Sequence, residues 1–184
     1  TNPVYWSWHI WVTDTAVGSY NYTTEMPNAA APNYINYVPK DDILKTDTEN
    51  FDALIYKSVI HLSQHHFAEG LATAERARQI NPYNAFVYGI LVDANVELGN
   101  YAAAVEHADK MVSIRPDLRS YSRISYIREI HGDCPGAIQA MKMAVEAGLP
   151  GEESTEWSRV QLGQLYARSG DLRSGGMDYR ISLV

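Results

Sequence analysis

Two hydrophobic periodicities divide the chain. From Val4 to Thr13 the residues alternate, with Val4, Trp6, Trp8, Ile10 and Val12 on one side and Tyr5, Ser7, His9, Trp11 and Thr13 on the other. That period of two predicts a strand. Asp14-Thr15 and Gly18-Ser19 offer turns, and Ser19 to Thr24 reads as a returning strand. An isolated hairpin is marginal in water, so this one needs something to pack on. Met26 to Pro39 carries Pro27, Pro32 and Pro39 and reads as an extended connector, because proline and the residue before it both resist helix. Beyond Asp41, Asp42 and Asp47, which suit helix starts, the period changes to 3.6. A first helix is expected from about Asn50 to Gln64, followed by alternating helices of roughly 12–15 residues and short turns.

The clearest helical stretch is Ala85 to Leu118, two amphipathic segments joined at Leu98-Gly99-Asn100 and closed by Arg115-Pro116-Asp117. Ala104 and Ala108 are small enough for close helix approach. Gly99 supplies a left-handed turn that a Cβ would disfavour by roughly 1–2 kcal/mol. Pro82 precedes Pro116 by 34 residues (116 − 82) and closes a similar unit. In the unit from Ala85 the recurring positions are Tyr88, Leu91, Gly99, Tyr101, Ala104, Ala108 and Pro116. The unit from Phe51 offers Leu54, Tyr56, His61, Phe67, Gly70, Ala74, Ala77 and Pro82. The third offers Tyr121, Ile124, Ser125, Gly132, Ala137, Met141 and Ala144. A fourth, from Glu156, carries Leu162-Gly163-Gln164-Leu165-Tyr166, then Gly170 and Leu172.

These residues resemble the tetratricopeptide repeat (TPR), whose pattern is W-x2-L-G-x2-Y, then A-x3-F and P. The resemblance covers residues 51–184, in units 51–84, 85–117, 118–151 and 156–184. It implies a mainly α fold, an α-solenoid of about four helix-turn-helix units, preceded by the extended or β-hairpin segment 1–50. Asn95 and Arg128 depart from the pattern where tyrosine is usual, and Gly175-Gly176 stands where a close-packed alanine belongs. The Trp-Ser-Trp-His-Ile-Trp run is also similar to a segment of fimbrillin-like bacterial surface proteins.

The TPR resemblance implies a concave groove lined by the first helix of each unit, where the family binds peptides. Carried over by position, that groove presents Phe86, Asp93 and Glu97, then Arg119, Ser122 and Tyr126, then Trp157, Gln164 and Arg168. The family's clamp for C-terminal carboxylates needs Lys and Asn in the first units. Ile55 and Val59 occupy those slots, which argues against tail recognition of that type. As a solvent-facing groove residue, Asp93 is expected to tolerate replacement by Ala with little loss of stability. The expectation is therefore a non-catalytic scaffold for a protein or peptide partner, part of a bacterial multi-protein assembly, with no cofactor.

Charge and chemistry adjust this picture. A net charge of −7 argues against nucleic acid as a partner. No run reaches the roughly 18–20 apolar residues of a membrane span. Cys134 stands alone, so neither an intrachain disulfide nor a Cys-based zinc site is available. No G-x-S-x-G, P-loop, H-E-x-x-H or glycine-rich dinucleotide turn occurs. His61, His65 and Glu69 are spaced at four residues and have the donor types for a divalent metal. The competing reading puts His61 in the aromatic slot and His65 and His66 in the turn, with no metal bound.

Arg115, Arg119, Arg123 and Arg128 form a basic patch. It reads either as an anion site or as a solvated face paired with Asp117, Glu129 or Asp133. Trp6, Trp8 and Trp11 offer flat apolar faces that suit sugar rings. They are the basis of the alternative reading, a glycan-binding or surface-complex component of a bacterial cell envelope, lipoprotein-like in location. Ile181, Leu183 and Val184 leave an apolar edge that further repeats or a partner would cover.

Overall fold

The computed structural model describes residues 44–45 and 47–171, together with Ser174 and Gly176. The expected hairpin and connector, and most of the second helix of the fourth unit, lie outside these residues. The described chain is helical, with no strand. Its helices are α1 (Phe51–Ser63), α2 (Phe67–Ile80), α3 (Ala85–Glu97), α4 (Tyr101–Ile114), α5 (Leu118–Ile130), α6 (Cys134–Ala147) and α7 (Glu153–Arg168). They fall into two compact units divided between Pro82 and Tyr83, the first containing α1 and α2 and the second α3 to α7.

Each first helix stops for the same local reason. Four turns repeat one pair of backbone hydrogen bonds, the second reaching from the residue after the left-handed position back across the last helical turn. His65 N–H donates to Leu62 O at 3.0 Å and His66 N–H to His61 O at 2.8 Å. The same pair recurs as Gly99 to Val96 and Asn100 to Asn95, as Gly132 to Glu129 and Asp133 to Arg128, and as Gly170 to Ala167 and Asp171 to Tyr166. This is the Schellman arrangement, which needs a residue with positive φ. Glycine fills that position in three of these turns, but in the first it is His65, at φ 61°. Because α1 ends at Ser63, His65 lies in the turn, as the reading without a metal has it, and His61 and His65 do not share one helical face.

Helix starts follow their sequences. Asn50 accepts from Ala53 N–H, and Asn84 from Phe86 and Val87 N–H. Asp117 accepts from Ser120 N–H at 3.0 Å while the Ser120 hydroxyl accepts from Asp117 N–H at 2.9 Å, a reciprocal capping box. Asp133 caps α6 through Gly136 N–H at 3.0 Å.

In the first unit α2 packs on α1 through Leu54, Leu62, Ala74 and Ala77, all buried. Gly70 lies directly against Leu62, whose side chain occupies the space a Cβ would need. In the second unit α4 packs on α3 and α6 on α5, while α4 also meets α5 and α6 meets α7. One buried cluster joins Val92, Val96, Ala104, Ala108 and Ile127; another joins Leu118, Ala137, Met141, Ala144, Leu162 and Leu165. Alanines at the crossing points let neighbouring backbones approach. The first helices of this unit also touch one another in sequence, α3 against α5 and α5 against α7. They therefore form a layer of their own, and that layer positions the candidate site.

Candidate functional site: the first-helix layer

Aligning α3, α5 and α7 by their turns places residues in rows spaced by 33 and then 38 positions. Phe86, Arg119 and Trp157 make one row (119 − 86 = 33; 157 − 119 = 38), and Asp93, Tyr126 and Gln164 make another. Phe86, Arg119, Tyr126, Trp157 and Gln164 are half-buried, as is Glu97 at the end of α3. Ser122 is buried, and its hydroxyl donates to Leu118 O at 2.7 Å, which ties it to its own helix.

Charge bridges cross between helices of the layer. Arg123 Nε donates to Asp93 Oδ1 at 2.9 Å and Nη2 to Asp93 Oδ2 at 2.5 Å, a two-point bridge from α5 to α3. Its Nη1 donates to Arg119 O at 3.3 Å. The guanidinium lies on Gly89, where an added Cβ would stand 3.2 Å from Cζ. The bridge is largely shut off from water, with side-chain exposures of 7% for Arg123 and 18% for Asp93. From α7, Arg168 pairs with Glu129 of α5 and donates to Gln164 Oε1 at 3.1 Å. That second bridge is far more open, at 44% exposure for Arg168.

Burial pushes the Asp93 carboxyl above its ordinary pKa, while the charge and hydrogen bonds of Arg123 pull it back. Tyr126 is pushed up from 10.0 to about 12, first by burial and then by the negative charges of Glu97, Tyr101 and Asp93. Its phenol therefore stays protonated and able to donate throughout the neutral range.

These facts correct one expectation. Asp93 is not a solvent-facing residue that alanine replaces at no cost, because its loss would leave a buried guanidinium without its carboxylate. Of the two readings of the arginine patch, the face paired with acidic residues holds at Arg115, while Arg123 and Arg128 find partners on other elements. Arg115 pairs with Asp117 at 2.9 Å, Arg123 bridges to Asp93, and Arg128 Nη1 donates to Gly136 O at 3.1 Å. The long-range pair went unseen because Asp93 and Arg123 are 30 residues apart. A signal existed: aligning the units puts Asp93 near the middle of one first helix and Arg123 near the middle of the next, with Gly89 between them as clearance.

His61, His65 and Glu69 are not brought together as ligands. His61 is half-buried on α1 with its ring 6.1 Å from that of His66, and His65 stacks edge-on against Phe67 at 5.5 Å. Among the described residues no group of three or more His, Cys, Asp or Glu is placed to hold a metal ion. Cys134 is half-buried at the first position of α6. Among those residues, too, no helix is long and apolar enough to cross a membrane. Trp6, Trp8 and Trp11, and the edge residues Ile181, Leu183 and Val184, lie outside the described residues.

Helices paired with their sequence neighbours, with the first helices of the second unit meeting in one layer, are the arrangement of the tetratricopeptide-repeat fold, and this chain has it. Solved structures agree. The chain is similar to TTC0263, a thermophilic TPR protein in Thermus thermophilus, with TM-score 0.70 and 18% identity over 79% of this chain and 78% of that one. It is similar to MamA, with TM-score 0.64 and 15% identity over 79% of this chain and 83% of that one. The 41-end form of MamA from Desulfovibrio magneticus RS-1 gives TM-score 0.65 and 14% identity, over 79% and 80%. No protein-family model matches the chain, and no curated protein matches it in sequence.

Proposed function

We propose that the chain is a non-catalytic scaffold that binds a segment of another polypeptide along the layer formed by α3, α5 and α7. The observation that carries this reading is the rows of half-buried side chains on consecutive first helices. Phe86, Tyr126 and Trp157 offer aromatic area, with Gln164 and the protonated phenol of Tyr126 offering hydrogen bonds beside it. Aromatic side chains supply large contact area at low entropic cost, which suits recognition of a peptide. Because Arg123 and Arg168 already bridge to carboxylates, a partner's acidic group would have to displace an internal one. The partner expected is therefore one held by apolar and hydrogen-bonding groups.

Co-purification with mass spectrometry from the native source tests this. A partner retained by the unaltered chain and lost with Trp157→Ala and Phe86→Ala supports it. A partner retained equally by those variants, or turnover of a substrate by the chain alone, would overturn it. Placement in a bacterial envelope rests on the aromatic N-terminal segment, and fractionation of the native source tests that placement separately.

A further inference from the structure

The Asp93–Arg123 bridge raises a question of purpose. Taking two charges out of water is costly, so such pairs add little net stability against well-packed apolar side chains of similar volume. The upward push that burial exerts on the Asp93 carboxyl reflects the same cost. What an ion pair of this kind has, and an apolar contact lacks, is direction. The guanidinium is planar, and its fork meets a carboxylate in one orientation. Arg123 is held at three places: by Asp93 through Nε and Nη2, by Arg119 O through Nη1, and by the bare backbone of Gly89 beneath it. Leucine or methionine in the same space would slide by a rotamer. The neighbouring bridge from Arg168 to Glu129 is too open to hold its helices in this way.

We infer that Asp93, Arg123 and Gly89 form a positioning device that sets the spacing and pitch of α3 against α5, and hence the width of the first-helix layer. The use of that width rests on the proposed scaffold reading; the geometric claim does not. Asp93 and Arg123 are on this view positioning residues for the layer rather than contacts for a partner.

The test measures distance and stability in the same variants. Spin labels at Glu106→Cys and Gln139→Cys, on the exposed faces of α4 and α6, report the offset between the two helix pairs in a Cys134→Ser background. The double variant Asp93→Leu/Arg123→Met removes both charges at similar volume. Its midpoint in urea is expected to hold or rise, while the label distance shifts by about 1–2 Å or its distribution broadens, the scale of helix shifts at packed interfaces. Arg123→Lys keeps the charge but loses the fork, and the same displacement is expected from it. A distance and a distribution both unchanged in either variant overturn the inference. Failure of the double variant to fold overturns it too, since the pair would then be an element of stability. No partner is needed for the measurement, so it can fail without touching the scaffold reading, and a failed co-purification leaves it standing.

Discussion

The α1–α2 pair and the α3–α4 pair reach the same backbone arrangement with different residues. In α3–α4 the left-handed turn position is Gly99 and the close-packed position on the second helix is Ala104, fully buried. In α1–α2 the turn position is His65 at φ 61°, and the close-packed position is Gly70 with Leu62 filling the vacated space. The small residue has moved from the turn to the helix crossing. The backbone path is thus decided by the unit as a whole, which tolerates a strained turn when the crossing is tight. Beyond its own pair, α3 is also tied to α5 by a charge bridge spanning 30 residues.

That contrast can be tested by substitution. The largest effect is expected at the bridge: Asp93→Ala or Arg123→Ala should lower unfolding free energy by roughly 3–5 kcal/mol in urea, because each leaves its partner buried and uncompensated. Glu129→Ala, at the open bridge, should change it by less than about 1 kcal/mol. Equal losses at the two bridges would contradict the assignment of burial as the deciding factor. At the crossing points, Ala104→Leu should overfill the α3–α4 contact and cost about 1–3 kcal/mol. Gly70→Ala should cost a comparable amount unless Leu62 finds another rotamer, and thermal melts of the two variants side by side would show which pair repacks more easily.

Smaller effects are expected at the turns. His65→Gly should stabilise by about 1 kcal/mol and Gly99→Ala should destabilise by about 1–2 kcal/mol, since only one of the two positions already carries the Cβ penalty. A destabilising His65→Gly would mean that the ring contacts with Phe67 outweigh the backbone strain.

Tyr126 gives the last prediction. Its folded-state pKa of about 12 lies above the ordinary 10.0, so it favours folding most below pH 10.0, and that contribution fades as pH rises toward 12. Ultraviolet titration should show a late phenolate step that Tyr126→Phe removes, and its persistence would refute the assignment.

Much of this was legible in the residues themselves. Helix beginnings at Asn50, Asn84 and Asp117, endings at Gly99, Gly132 and Gly170, and the alanines at 104, 108, 137 and 144 are local signals: a capping side chain, a missing Cβ, a short radius. They recur at a near-constant interval, and it was their resemblance to the tetratricopeptide pattern that implied the solenoid. Tertiary structure alone decided which polar residues are buried. Asp93 and Ser122 look solvent-facing by position, yet one closes a bridge and the other is sealed against its own helix. The place of His65 in the turn, by contrast, was already open to a sequence reading that set His65 and His66 between the helices. The physical reason is range. Capping and turn chemistry act over a few residues and are written where they act, while the burial of a charge depends on what a distant helix brings to meet it.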